Sequence, residues 1–478
     1  MKTLKITALI INLILFGIGN AQAFTITVNS PSGGSCSFSN AILAANTGDI
    51  NMSSGCPRVP DGDDTVHTII LPANQTFSFE RDFNSNIALP FITSEIIIEG
   101  NGSILERSDA VTTPPIPRFA FFQLGRSGNV SGNLTLNDLT LTKGISLAAD
   151  GGAILVTQSS TLTLNRCTLS DNEAAGDSGG RNGSGGAITI TPTATAIINS
   201  STISGNRANE EGGAIFNQGL LTVTNSTIDG NTANFDGGGI FNVGTLTISN
   251  STISGNISTL RGGGIAVSNG TAEIINCTIT ENDSSNLGGD ENGPGGGIAV
   301  ISSAGTSSAI IRNSIISGNF SDDSSSQNCG VASVGGTTEI IDDGYNLSND
   351  SSCPFTTANS SQMFDNDCID PDLSDNGGPT FTHALLDPSD TNTPSTCTVN
   401  LAIDAGNDSI CSSSPVNRTD QRGIPRPIDG DGINGAQCDI GSFEFGTPEP
   451  GFGMCFMDEV CGDFVDNNGD GIINQNCS

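Results

Sequence analysis

The segment GGAIFNQGLLTVTNSTIDGN at 212–231 is written again, with few changes, as GGGIFNVGTLTISNSTISGN at 237–256. Two landmarks carry the repeat further. The isoleucine that closes each GGAI or GGGI falls at Ile154, Ile188, Ile215, Ile240, Ile265 and Ile298, in steps of 34, 27, 25, 25 and 33 residues. The asparagine that ends NSTISGN and its variants falls at Asn172, Asn206, Asn231, Asn256, Asn282 and Asn319. A 25-residue unit with insertions at one place marks a solenoid, because a single unit cannot bury its own apolar face.

Within a unit the apolar residues stand two apart: Leu221 and Val223, Leu246 and Ile248, Ala272 and Ile274, Ala309 and Ile311. Thr222, Thr224, Thr247 and Ser249 alternate with them, which is the period of a strand with one buried face. Helical spacing is absent. Short strands stacked coil upon coil predict a parallel β-helix with rungs about 4.8 Å apart. Identical asparagines at a buried corner predict a side-chain ladder at Asn172, Asn206, Asn231, Asn256, Asn282 and Asn319. Cys167 and Cys277 replace Ser in the same motif, four coils apart, so about 19 Å separates them and they are read as buried thiols.

The chain has 61 Gly among 478 residues, with one Tyr and no Trp, as a turn-rich repeat would. Lys2 and Lys5, the apolar run from Ile6 to Ile18 and Ala21-Gln22-Ala23 read as a secretory signal over 1–23. Losing it takes the formal charge from −34 to −36. So acidic a chain repels nucleic acid and anionic membranes, and no later stretch is long and apolar enough to span a bilayer. Thirteen cysteines suit an oxidising compartment. Cys36/Cys56, Cys329/Cys353 and Cys397/Cys411 are close sequence pairs able to close loops, although spacing alone does not fix connectivity.

Both ends change character. At the front stand CSFSNAI (36–42) and GDDTVHTIILPANQTF (62–77); at the far end stand NGGPTFTHALL (376–386), LAIDAGN (401–407) and TDQRGIPRPIDGDGINGAQCDIGSFEF (419–445). The first pair resembles the CSLREA-type region of bacterial surface β-helix proteins, with the Arg-Glu pair missing here. The far group resembles the closing region of the choice-of-anchor Q family, and the repeats are similar to those of polymorphic outer-membrane proteins. The resemblance implies an all-β chain, a right-handed parallel β-helix of the pectin-lyase-like kind with N- and C-terminal caps, on a secreted or surface-exposed bacterial protein. The expected organisation is a signal peptide (1–23), an N-terminal cap with first coils (24–80), repeats (81–375), a choice-of-anchor-like cap (376–446) and a Cys/Asp-rich tail (447–478). The tail has neither a hydrophobic anchor nor a sorting motif.

Chemistry has few places to sit. In DNNGDGIIN, Asp466, Asn468, Asp470 and the Ile472 carbonyl have the oxygen spacing of half a calcium loop, with Cys477 where a bidentate Glu would complete it. Weak calcium binding and an acidic disordered tail are both open readings; Asp429-Gly430-Asp431-Gly432 reads as a turn. A pectin-degrading site needs paired aspartates with a histidine and a basic clamp, or with calcium and a basic residue. The only histidines, His67 and His383, lie outside the repeats. Asp63/Asp64, Asp322/Asp323 and Asp342/Asp343 are adjacent pairs without an evident basic partner in a regular strand. The outward Thr222/Thr224 pair continues as Thr247/Ser249 and then breaks at Glu273/Ile275. Phe216 and Phe241 share one repeat position and predict an aromatic ladder, in the core by default.

The expected function is therefore a non-catalytic, adhesin-like scaffold that presents an extended surface to a polysaccharide or cell-surface component. The competing reading is a polysaccharide lyase or hydrolase acting on an acidic polysaccharide, with a site on the insertions at 173–184, 283–294 or 320–330. An aspartate cluster facing a cleft would favour the enzyme, and a uniform flank the scaffold.

Overall fold

The computed structural model describes residues 24–28, 36–47, 56, 58–60, 66–83, 86–110, 118–147, 150–176, 183–285, 294–363, 368–430, 432 and 435–446. The expected signal peptide and the calcium-like loop at Asp466, Asn468, Asp470 and Ile472 lie outside them.

One uninterrupted coil shows why the sequence repeats. Its strands are Ile215–Asn217, Leu220–Thr224, Thr227–Asp229 and Thr232–Ala233. Each pairs in parallel with the residue 25 positions on: Ile215 with Ile240, Leu221 with Leu246, Ile228 with Ile253, Ala233 with Ser258. Stacking in this way builds parallel sheets of 21, 8 and 7 strands around one apolar column. Ile215, Leu221, Val223, Ile228 and Ala233 are wholly buried, while Thr222 and Thr224 between them are half-exposed. The chain is thus a parallel β-helix.

The corners are set by backbone demands. Asn225, Asn250, Asn276 and Asn313 hold φ between 45° and 53° where the large sheet bends, a region that Asn tolerates better than most residues. At the last corner, a Cβ on Gly213 would stand 2.1 Å from the carbonyl oxygen of Gly238 in the next coil, so the Gly-Gly pair is a packing requirement. The long insertions follow the two-residue strands Glu173–Ala174, Asp283–Ser284 and Phe320–Ser321, all at this corner.

The asparagines at the intervening corner form a continuous buried ladder. Asn206 donates its backbone N–H and its Nδ2 to Asn231 Oδ1, both at 2.9 Å, and its Nδ2 also reaches the Leu169 carbonyl at 3.0 Å. The same exchange links Asn172 to Asn206, Asn231 to Asn256, Asn256 to Asn282 and Asn282 to Asn319. Asn319 passes it on to Asn328, which lies outside the repeated motif. A second ladder of hydroxyls runs beside it, with Ser201 N–H donating to Ser226 Oγ and Ser226 N–H to Ser251 Oγ, both at 3.1 Å. Cys167 and Cys277 occupy this second ladder. Their Sγ atoms lie 3.3 Å from the Leu136 carbonyl and 3.2 Å from the Ile275 carbonyl, and burial pushes both thiols up to about 12.

The two ends of the apolar column are treated differently. At the front, helix Phe38–Thr47 buries Phe38, Ala41 and Ile42 against it, with the Phe38 ring 5.9 Å from Phe77 and 6.4 Å from Phe122. The antiparallel strand Arg58–Pro60 closes the neighbouring edge of Phe24–Thr27. At the far end, residues 368–446 turn back and run along the flank of the coils at 225–315. Disulfides join Cys36–Cys56 and Cys329–Cys353. Cys397 and Cys411 are not partners: Cys397 bonds Cys368 beside Ile369 and Leu385, and Cys411 bonds Cys438 beside Val416, because the two belong to separate clusters on the flank.

Replacing Asn231 by Ala strands the N–H of Asn206 inside the stack, at roughly 1–3 kcal/mol for a buried group left unpaired, and leaves its Nδ2 only the Leu169 and Ser204 carbonyls. Asn165→Ala, on the half-exposed outer face, is expected to lower the urea unfolding midpoint much less; equal losses would remove the ladder from its structural role.

Candidate functional site

The flank segment grips three coils through side chains that point outward from the large sheet. Gln421 accepts from Thr252 Oγ1 at 2.7 Å and donates to Thr227 Oγ1 at 2.9 Å and Thr380 Oγ1 at 3.0 Å. Thr227 Oγ1 donates to the Phe381 carbonyl at 2.6 Å, Asn250 Nδ2 to the Thr419 carbonyl at 2.9 Å, and the Ser442 N–H to Thr278 Oγ1 at 3.1 Å. His383 lies 2.7 Å from the Asp370 carbonyl through Nδ1 and 2.7 Å from Ser254 Oγ through Nε2. A carbonyl only accepts, so Nδ1 carries the proton; burial lowers the ring's affinity for a second one, and in the neutral ring Nε2 accepts from Ser254 Oγ. His383 is therefore a docking residue, with both ring nitrogens committed.

Behind this polar seam lies a buried charge network. Arg422 Nε donates to Asp420 Oδ2 at 2.8 Å, and its guanidinium carbon stands 3.6 Å above the Phe443 ring centroid. Asp420 also accepts the N–H groups of Arg422, Ile424 and Glu444 at 2.8, 2.9 and 3.0 Å. Arg426, with its side chain fully enclosed, donates to the carbonyls of Asp439 and Gly441 at 3.0 and 2.8 Å and lies 3.4 Å from Glu444. Its Nε is not aligned for a hydrogen bond, and its charge offsets the desolvation of Glu444 only in part. Burial pushes the Glu444 carboxyl up to about 7. Asp439 is pushed well above the usual carboxylate range by burial first and the Glu444 charge second.

The sign of each shift fixes the pH response of this seam. A raised carboxyl stabilises the docked state fully below its unfolded value, and that contribution is lost as pH rises through about 7. The lowered His383 works in the opposite sense: its contribution is complete above its ordinary value of 6.5 and lost as pH falls through the lowered one. Hydrogen exchange, corrected for the intrinsic rate, is expected to show the amides of 419–445 opening faster at pH 8 than at pH 6. Unchanged protection across that interval would mean that Glu444 and Asp439 titrate alike whether docked or free.

An acidic cleft forms where the last coil meets its cover. It is lined by Asp342, Asp343, Gly344, Tyr345, Ala358, Asn359 and Ser360. Asp342 accepts from Asn346 Nδ2 at 2.9 Å, Ser361 Oγ at 2.6 Å and the Thr356 N–H at 2.9 Å, which makes it a hub for the chain around it. Asp343 pairs with Arg312 at 3.1 Å, and Arg312 also pairs with Glu273 one coil earlier. This corrects the expectation that Asp342/Asp343 lacks a basic partner. The partner comes from the preceding coil, 31 residues away in sequence.

The other sequence candidates fall apart in space. Asp323 closes a turn through Ser325 and Ser326, and Asp63/Asp64 lie outside the described residues, as does Asp431. Among the described residues no group of three or more His, Cys, Asp or Glu side chains could share a metal ion. Phe216 and Phe241 do stack, at 5.7 Å and 23°, but outside the coil, in a small cluster with Ala266, Ala299 and Ile301. Phe241 is buried and Phe216 half-buried, so the pair is packed, but apart from the main column, because the neighbours Ile215 and Asn217 take the inward positions. Thr222, Thr247, Glu273 and Ile310 form one outward row in register, so the hydroxyl row does end after two coils. Sequence reading missed the charge network of Arg422, Arg426, Asp439 and Glu444, for which the alternation of charged and apolar residues in GIPRP and CDIGSFEF was the available signal.

The family described as right handed beta helix region matches residues 152–351, less than half of the chain, and the coils are accordingly those of a right-handed parallel β-helix. A crystal structure of pectate lyase Pel9A is similar over 89% of this chain and 96% of that one, at 14% identity and a TM-score of 0.42. No curated protein matches. No described helix is long and apolar enough to cross a membrane.

Proposed function

We propose that the protein is a non-catalytic, adhesin-like scaffold, secreted or held at the cell surface, that presents the flank of its β-helix to a polysaccharide or another cell-surface component. The observation that carries this reading is the outward side-chain stack on the early coils. Asn199 donates to Asn165 at 3.0 Å, Asn165 to Asn137 at 2.8 Å and Asn137 to Glu99 at 2.8 Å. The row offers the same amide chemistry on three successive rungs, a geometry suited to a partner that itself repeats. Four disulfides among the described residues agree with an oxidising, extracellular setting. The finer kinship with choice-of-anchor Q proteins, with a CSLREA-like front and polymorphic-outer-membrane-protein-like repeats, belongs to this proposal, as does weak calcium binding by Asp466, Asn468, Asp470 and the Ile472 carbonyl.

The acidic cleft favours a second reading, a lyase or hydrolase acting on an acidic polysaccharide, with Asp342 and Asp343 in its lining and Arg312 behind Asp343 as the basic partner. Against it stands the charge balance. Arg312 is already bridged by two carboxylates, so it serves as a tie between coils and has no charge to spare for an anionic substrate.

The test is to incubate the mature protein and calcium with acidic and neutral polysaccharides, then follow polymer length and protein co-elution by size-exclusion chromatography. Intact chains that carry the protein with them are expected. Shortened chains, with the shortening abolished in Asp343→Asn, would replace the scaffold by the enzyme.

A further inference from the structure

Among the described residues, the far end of the β-helix is left with an unpaired strand. In the last coil, Thr337–Asp342 pairs with Thr306–Arg312 on one side only. The Thr337 N–H donates to the Gly305 carbonyl and the Asp343 N–H to the Ile311 carbonyl, so the odd-numbered amides face the preceding coil. By strand alternation, the N–H and C=O groups of Thr338 and Ile340 point away from the molecule. At Asp342 the free side is covered, since its carbonyl accepts from Asn359 Nδ2 at 2.7 Å. The apolar column is open at the same place. Val331 stacks on the fully buried Val300 yet is 53% exposed, Ile340 continues the column above Ala309 and is only half-buried, and Val334 is 87% exposed.

An open edge of this kind normally carries Lys, Pro or a bulge that discourages pairing. Between Gly330 and Ile341 there is neither Lys nor Pro. We propose that this edge is a dimer interface, on which a second copy of the chain adds its own 336–340 segment antiparallel across a two-fold axis at Thr338. Opposed residues of an antiparallel pair share a face, so the axis must pass through a residue if both inward faces are to stay inward. An axis at Glu339 sets like charges against each other. An axis at Ile340 drives the partner strand towards Asn359. The axis at Thr338 avoids both, placing Glu339 opposite Thr337 and letting the two Thr338 residues exchange N–H···O=C bonds.

Continuity favours a second copy as the occupant. The added strand prolongs the large sheet as each coil prolongs the one before. Association also stops at two, because the front end is covered by helix Phe38–Thr47 and strand Arg58–Pro60. The formal charge of −36 without the signal segment opposes the encounter, so association should strengthen as salt rises.

Analytical ultracentrifugation of the mature protein over a concentration series, at low and high salt, tests the assignment. A species of twice the monomer mass is expected, more abundant at high salt. Thr338→Pro removes no intramolecular ladder bond, because that N–H faces outward, and is expected to weaken dimerisation about tenfold or more while leaving the unfolding midpoint near that of the parent. Ile340→Lys, which puts a charge at the open end of the column, should act the same way should the proline variant misfold. A monomer at every concentration overturns the proposal, as does a dimer that tolerates both substitutions. A monomer whose Thr338 and Ile340 amides resist exchange would give the edge to the chain's own residues and overturn it equally.

Discussion

Everything in this molecule depends on one constraint: the strands of a coil have no backbone partners within that coil, so their N–H groups and carbonyls must be answered by the coil above or below. Asn231 illustrates the demand. Its Oδ1 receives two donors from Asn206, while its own N–H and Nδ2 are received by Asn256. A residue caught between two identical neighbours is best served by being identical to them. The same logic holds at the Gly-Gly corner, where one coil's carbonyl fills the space of the next coil's missing Cβ. It also confines the long insertions to that corner, where a loop can leave after a two-residue strand and return before the next rung without displacing either ladder.

Stacking in register has a second effect, on the outside. Whatever faces outward in one coil faces outward beside its counterpart, so the flank acquires rows. Residues 368–446 exploit one such row, Thr227, Thr252 and Thr278, and bind it almost wholly through hydroxyls, amides and carbonyls. A polar seam of this kind gains less from burial than an apolar one, and depends more on complete pairing and on the charge state of its groups. The network of Asp420, Arg422, Arg426, Asp439 and Glu444 lies within the flank segment and shapes the surface that meets the row. Its three carboxylates face two guanidiniums, an imbalance that retention of one proton by the Asp439/Glu444 pair removes.

The periodic part of the structure was legible in the sequence because period is itself the physical signal. Strand alternation at Leu221 and Val223, the stacked asparagines and the buried Ser-position cysteines all follow from spacing. What escaped was aperiodic. The Gln421 bond to Thr227 joins residues 194 positions apart, and nothing local to either announces it. The Cys368–Cys397 and Cys411–Cys438 bonds depend on how the flank segment folds back, so the short spacing from 397 to 411 misleads. Arg312 meets Asp343 only because the insertion in the last coil makes that step 31 residues long, and a uniform 25-residue count puts the two out of register. The face on which Phe216 lies needed the parity of a three-residue strand, which the surrounding turns obscure.

Repetition also bears on where chemistry can reside. A solenoid that copies its side chains from coil to coil spreads one kind of group evenly, which serves adhesion, whereas catalysis needs unlike groups gathered at a single point. Such gathering demands a break in the copying. The outward row, already interrupted at Ile197, loses its threonines where Thr222 and Thr247 give way to Glu273 and Ile310, and the charges of Glu273, Arg312 and Asp343 collect within two coils of that change. These same coils end the stack and carry the unpaired strand. The pressure that keeps a coil like its neighbours comes from having neighbours on both sides, and among the described residues strand Thr337–Asp342 of the last coil has one. Its departures from the repeat, the acid cleft and the open edge alike, are what that relaxed constraint permits, and they make the far end of the helix the part of the molecule able to do something the other coils cannot.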